Sequence, residues 1–101
     1  MLIAELYWRD DRIDHIAGHS VKPEEVEDAL FEDMAGLLLR VGPAERNPRE
    51  TLYRYFGRTA AGRYLMIALL YLGEGVAMPI TAREMTPAER GRFNARSPRQ
   101  R

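Results

Sequence analysis

Two histidines stand one helical turn apart near the start of the chain, in Asp14-His15-Ile16-Ala17-Gly18-His19-Ser20-Val21-Lys22-Pro23-Glu24-Glu25-Val26-Glu27. Near the other end, Pro79-Ile80-Thr81-Ala82-Arg83-Glu84-Met85-Thr86-Pro87-Ala88-Glu89-Arg90 closes a strand with an arginine and opens a basic helix. Imidazole titrates near neutral pH, so it can take or give a proton under ordinary conditions. The planar guanidinium fork fits phosphate oxygens. If the fold brings the two motifs into one cleft, the groups needed for metal-free RNA cleavage are present. The RNA's own 2′-hydroxyl attacks the adjacent phosphate, and a protein need only move protons and stabilise the phosphorane.

His19 is the candidate acid or base, and Arg58, Arg63 and Arg83 are candidate phosphate ligands. Tyr55 and Trp8 are candidate stacking surfaces for bases. Each has a plainer alternative. His19 can cap or pack, Arg83 can pair with Glu84 or Glu89, Arg63 can be an edge charge, and Trp8 can belong to the core. His15 and His19 also have the i, i+4 spacing of helical metal ligands. No HExxH glutamate lies between them, and Gly18 is expected to end the helix before His19, so no metal site or cofactor is expected. No phosphate-binding glycine loop, nucleophile elbow or dinucleotide fingerprint occurs.

The elements that must position these residues come from 101 residues, 46% of them apolar, which suits one domain with one core. We place that domain at residues 1–96, followed by a flexible basic tail at 97–101. There is no cysteine, which excludes disulfides and thiolate metal sites. No basic segment followed by an apolar run marks a secretory signal at the N-terminus. The longest apolar run, Tyr64 to Leu72, is too short to span a membrane, so a cytoplasmic protein is expected. A net charge of zero hides an asymmetry: residues 1–50 sum to −6 and residues 51–101 to +6. All the basic residues but Lys22 are arginines, so the second half has the chemistry to face nucleic acid.

Alternation predicts a strand at Leu2 to Trp8, then a short helix from about Arg12 to Gly18 capped by Asp10 or Asp11. Pro23 opens a second helix whose acidic first turn suits the helix dipole, with Val26, Ala29, Leu30 and Phe31 as its buried stripe. Strands are predicted at Gly36 to Val41, Leu52 to Arg58, Arg63 to Leu72 and Gly75 to Glu84, the last two joined by a Gly73-Glu74-Gly75 turn. Pro79 favours an edge position or a bulge. Thr86-Pro87-Ala88-Glu89 is a capping-box signature for a helix reaching about Arg96. The order predicts an α+β domain: an antiparallel sheet of four to five strands, two N-terminal helices and one C-terminal helix.

These pieces, taken in order, resemble the BrnT-type ribonuclease toxins of bacterial type II toxin–antitoxin systems. The resemblance runs from about Ile3 to Phe93. It is carried by Trp8 after the first strand, by His19 before Val21-Lys22-Pro23-Glu24-Glu25-Val26, and by Gly57-Arg58-Thr59-Ala60-Ala61-Gly62-Arg63. The apolar strand, Thr81-Ala82-Arg83 and the closing Glu89-Arg90 complete it. Where many members have Lys-His-Gly-Val this chain has Gly18-His19-Ser20-Val21, and Lys22 replaces the usual capping threonine. The resemblance implies a RelE-like fold and metal-independent cleavage of RNA, with His19 and Arg83 foremost, then Arg58 and Arg63, and Arg90 among the RNA contacts. It also implies a cognate antitoxin, commonly of ribbon-helix-helix type. The two would form a hetero-oligomer that touches DNA only through the antitoxin. A non-enzymatic partner- or RNA-binding module on the same scaffold is the alternative.

Overall fold

Four apolar segments with period-two alternation pair as neighbours in the computed structural model of the chain, which describes residues 2–96. The elements are β1 (Glu5–Leu6), α1 (Asp10–Ala17), α2 (Pro23–Glu32), β2 (Leu37–Pro43), β3 (Thr51–Arg58), β4 (Tyr64–Gly73), β5 (Val76–Glu84) and α3 (Pro87–Arg96). They make an α+β domain with one five-stranded sheet in the order β1-β5-β4-β3-β2. The predicted tail at 97–101 lies outside the described residues.

The sheet is mixed, which corrects the expectation of an antiparallel one. Strands β2 to β5 form an antiparallel meander, whereas β1 runs parallel to β5, with Glu5 opposite Val76 and Leu6 opposite Ala77. No hairpin joins β1 to its neighbour; the rest of the domain is the crossover, and a crossover permits parallel pairing. The strand is also shorter than predicted. Flanking backbone bonds from Ala4 and Glu5 N–H to the Gly75 carbonyl and from Tyr7 N–H to that of Ala77 complete its attachment.

The first helix stops where expected, at Ala17 with Gly18 as its C-cap, and one further turn follows it. Gly18 keeps right-handed helical dihedrals, and the turn continues until Ser20 takes the left-handed conformation at φ 61°. Ser20 N–H reaches the Ala17 carbonyl at 2.9 Å and Val21 N–H reaches that of Ile16 at 3.1 Å. This is a Schellman closure, with serine where glycine is usual. Helix α2 starts at Pro23, and Glu25 accepts a hydrogen bond from the Lys22 backbone N–H at 3.0 Å. Lysine has no acceptor to return, so only half of a capping box forms.

Helices pack on both faces of the sheet. On one, Ile16 of α1 and Val26, Ala29 and Leu30 of α2 pack against Tyr55, Leu65, Ile67, Leu69, Ala77 and Ala82. Each large aliphatic side chain buried there contributes about 1.5–3 kcal/mol. Phe31 is 37% exposed, contrary to expectation, because it lies one helical step past the Val26–Leu30 stripe. On the opposite face α3 lays Phe93 on Met66 and Met85, with Phe56 and Tyr64 at the margin. Pro79 sits beside a register shift in β5, beyond the two residues that β1 covers. Both expectations for that proline hold.

Among the described residues no helix is long and apolar enough to cross a membrane.

Candidate active site

The Schellman closure of α1 keeps His19 one turn below His15 on the same helical face. The two exposed imidazoles meet edge to face, with centroids 5.3 Å apart at 72°. Helix α1 lies along β5, past Ala77 where β1 no longer pairs with that strand, and His15 Nε2 shares a 3.0 Å hydrogen bond with Thr81 Oγ1. Arg12 of the same helix reaches the Ile80 carbonyl at 3.4 Å. The histidine pair is thus fixed to the last strand.

Arg63 stands beside it. Thr59 and Gly62 build the turn that places this arginine: Thr59 Oγ1 accepts from Arg63 N–H, and Gly62 takes φ 92°. The guanidinium is held by three groups from three segments. Its Nη1 donates to the Ser20 carbonyl at 2.7 Å and to both Glu25 oxygens at 2.9 and 3.0 Å, while Nε donates to Glu84 at 2.9 Å. Nη2 makes no hydrogen bond to any described residue. The Glu84 hydrogen bond and then that of Glu25 raise the Arg63 pKa above its ordinary value against the opposing effect of burial. Burial alone would push the Glu25 carboxyl up, but the Lys22 N–H and Arg63 together hold it below the usual carboxylate value.

A cleft of about 430 Å³ opens next to Arg63, lined also by Gly62, Tyr64, Glu84, Met85 and Arg90. The Tyr64 ring is its organiser. Arg90 lies 4.1 Å from the ring centroid and Arg58 5.1 Å, both in cation–π range. Phe93 meets the ring edge-on at 6.0 Å. The Arg58 backbone N–H is anchored to Asp33 at 2.7 Å, and its buried Nε has no hydrogen-bond partner among the described residues.

The structure thus gathers Arg58 and Arg90 on the Tyr64 ring with Arg63 in the same cleft, and it ties Arg63 to the histidine segment through the Ser20 carbonyl next to His19. Arg83 is placed otherwise. Its neighbour in the strand, Glu84, points to the Arg63 side, so Arg83 points to the α3 side and lies opposite Met66. There it makes a fork with Glu89, Nη1 to Oε1 at 2.8 Å and Nη2 to Oε2 at 3.0 Å, and Nη1 also bonds the Glu84 carbonyl. This is the pairing that the plainer sequence reading named. Its partner Glu89 closes the capping box with Thr86, N–H to carboxylate at 2.9 Å and N–H to hydroxyl at 3.1 Å.

Neither proposed stacking residue presents a free ring. Tyr55 is 2% exposed, its hydroxyl donating to the Ala29 carbonyl at 3.0 Å, because it falls on the sheet face under the helices. Burial pushes its phenol up to about 12. Trp8 packs partly buried against the same core and donates its Nε1–H to Glu27 at 3.0 Å. Two residues of the site escaped the sequence reading, His15 as the partner of His19 and Tyr64 as the floor of the arginine cluster. The i, i+4 spacing signalled the first, although it was weighed only as a metal motif.

No known protein-family model matches the chain, and no curated protein matches it.

Proposed function

We propose that this chain is a ribonuclease toxin of a toxin–antitoxin pair, cleaving RNA without a metal ion in the cytoplasm and neutralised by a cognate antitoxin of ribbon-helix-helix type in a hetero-oligomer. The observation that carries the catalytic reading is the pair of exposed imidazoles 5.3 Å apart, held to the strand at Thr81 beside an arginine with one free terminal nitrogen. In-line cleavage needs a proton removed from the 2′-hydroxyl and another delivered to the 5′-oxygen, on opposite sides of the phosphorus. Two adjacent imidazoles in opposite protonation states suit those tasks. His19, the more open of the pair in its bonding, takes one, and His15, oriented by Thr81, takes the other. Arg63 offers Nη2 to a phosphate oxygen without having to reorganise, since its remaining donors are already fixed. Arg90 and Arg58, stacked on Tyr64, extend the cationic track for neighbouring phosphates. Arg83 braces α3 through Glu89 and is a positioning residue in this scheme.

The test is cleavage of an end-labelled RNA, in EDTA, by wild type, His19→Ala and His15→Ala. We expect wild-type products ending in 2′,3′-cyclic phosphate and a loss of at least about a hundredfold in either variant. A folded wild type that leaves RNA intact refutes the enzyme. The second reading, a binding module without turnover, draws on the ion pairs that Arg63 and Arg83 make with Glu25, Glu84 and Glu89. It predicts RNA or partner binding with no cleavage.

A further inference from the structure

Helix α3 leaves part of its sheet face uncovered. Between α3 and the β2–β3 edge runs an open trough of about 600 Å³. Its floor is aliphatic, from Leu37, Leu39 and Val41, with Leu39 45% and Val41 53% exposed. Arg54 of β3 stands on one side of that strip and Arg92 and Arg96 of α3 on the other, whereas Arg40, opposite Tyr53, belongs to the other face of the sheet. Arg40, Arg54 and Arg92 make no hydrogen bond or ion pair with a described residue; Arg96 donates to the Ala35 carbonyl at 2.8 Å and lies over the Phe93 ring. Glu89 is the one carboxylate lining the trough, and both its oxygens are bonded to Arg83.

We infer that this trough is a docking site for an acidic amphipathic helix of a partner protein, its apolar stripe on Leu37, Leu39 and Val41 and its carboxylates on the flanking arginines. The charge argument is direct: the guanidinium groups of Arg54, Arg92 and Arg96 face a surface with no uncommitted carboxylate among the described residues. The exposed aliphatic floor asks for a ligand that is apolar along the same line. Nucleic acid meets only the first demand, because the most exposed apolar surface of the trough is aliphatic, at Leu39 and Val41, while Phe93 is 3% exposed beneath Arg96 and Phe56 is half-buried. Strand addition at the β2 edge meets neither, because the irregularity between Arg40 and Gly42 and the proline at 43 interrupt the ladder a new strand would need. A second copy docking through the same trough would oppose arginine to arginine. Docking through another face would be head to tail, a contact that closes only at special rotations. Helix-in-groove recognition satisfies charge and shape together.

The trough shares none of its lining with His15, His19 or Arg63, so this inference stands apart from the ribonuclease reading. It is tested by fluorescence anisotropy of the intact protein with a labelled helical peptide of about five turns, leucine at i, i+3, i+4 and i+7 and glutamate elsewhere. The comparison probes are a scrambled peptide of the same composition and a short single-stranded RNA. We expect the amphipathic peptide to bind better than the scrambled one, and the exposed double variant Arg54→Glu/Arg92→Glu to weaken it at least about tenfold with unchanged circular dichroism. No binding of the amphipathic peptide, or equal binding of the scrambled one, overturns the proposal. RNA binding abolished by the same variant reassigns the trough to nucleic acid. Concentration-dependent self-association abolished by it reassigns the trough to a second copy. The cleavage assay, run on the double variant in parallel, reports on the histidine site independently.

Discussion

Replacing Glu89 by glutamine tests the ion pair that ties α3 to the sheet. The glutamate is 12% exposed at its side chain, forks with Arg83 and accepts the Thr86 N–H. The Arg83 hydrogen bonds, with the Thr86 N–H adding to them, hold its carboxyl at about 2, down from 4.5. A carboxyl lowered in the folded state stabilises the fold fully above the unfolded value and loses that contribution as pH falls through the folded one. The gap between 4.5 and 2 corresponds to about 3 kcal/mol at neutral pH. Arg83 is one-third exposed, and screening there brings the figure to about 2 kcal/mol. Glutamine retains an acceptor for the Thr86 N–H but loses the charge. Urea denaturation followed by far-UV circular dichroism should therefore place Glu89→Gln about 2 kcal/mol below wild type at pH 7, with about half that gap gone by pH 3. Glu25, also lowered, is present in both proteins and cancels from the difference. A gap that stays constant from pH 7 to pH 3, or widens, would refute the assignment of this stability to the Arg83–Glu89 pair.

Three further outcomes follow from single contacts. Tyr55→Phe removes the donor to the buried Ala29 carbonyl and should lower unfolding free energy by about 1–2 kcal/mol in the same titration; no change would mean the hydroxyl holds nothing. Ser20→Gly relieves a left-handed serine and should raise stability by about 0.5–1 kcal/mol, a gain checked by thermal melting and contradicted by any loss. Arg63→Lys cannot hold Ser20, Glu25 and Glu84 in one planar fork, so RNA cleavage should fall at least about tenfold while circular dichroism is retained; undiminished cleavage would remove Arg63 from the site.

The elements readable in the sequence are those written in adjacent residues. Thr86, Pro87 and Glu89 specify the start of α3 through bonds no more than three residues long, and the structure contains them as expected. Gly73 and Gly75 mark the β4–β5 turn for the same reason, each with positive φ. Faces are harder. Alternation says that Tyr55 and Phe56 point opposite ways, but not which side the helices will cover. Tyr55 was therefore assigned to RNA when it belongs to the core. The same ambiguity separates Arg83 from Arg63. Both stand at strand ends near the histidines in sequence logic, yet one faces α3 and the other the α1–α2 junction. The parallel placement of β1 had no local signal, since its partner Val76 lies on the far side of the whole domain. Gly18 marks the end of α1 as expected, but the left-handed position falls two residues later on Ser20, which carries no such signal.

The hydrogen bond between His15 and Thr81 joins residues 66 positions apart. On a ribosome, β2, β3 and β4 can pair with one another as soon as each emerges, for they are sequential neighbours. The histidine helix has no such option. Its seat on β5, and that of β1 beside it, exist only once that strand has been made. Loop closure over so long a segment is slow relative to hairpin formation. Until β5 emerges, a nascent chain carries both imidazoles without Thr81 to anchor them. The Thr81 seat of the histidine pair is therefore a late event in synthesis, formed only after β5 has emerged.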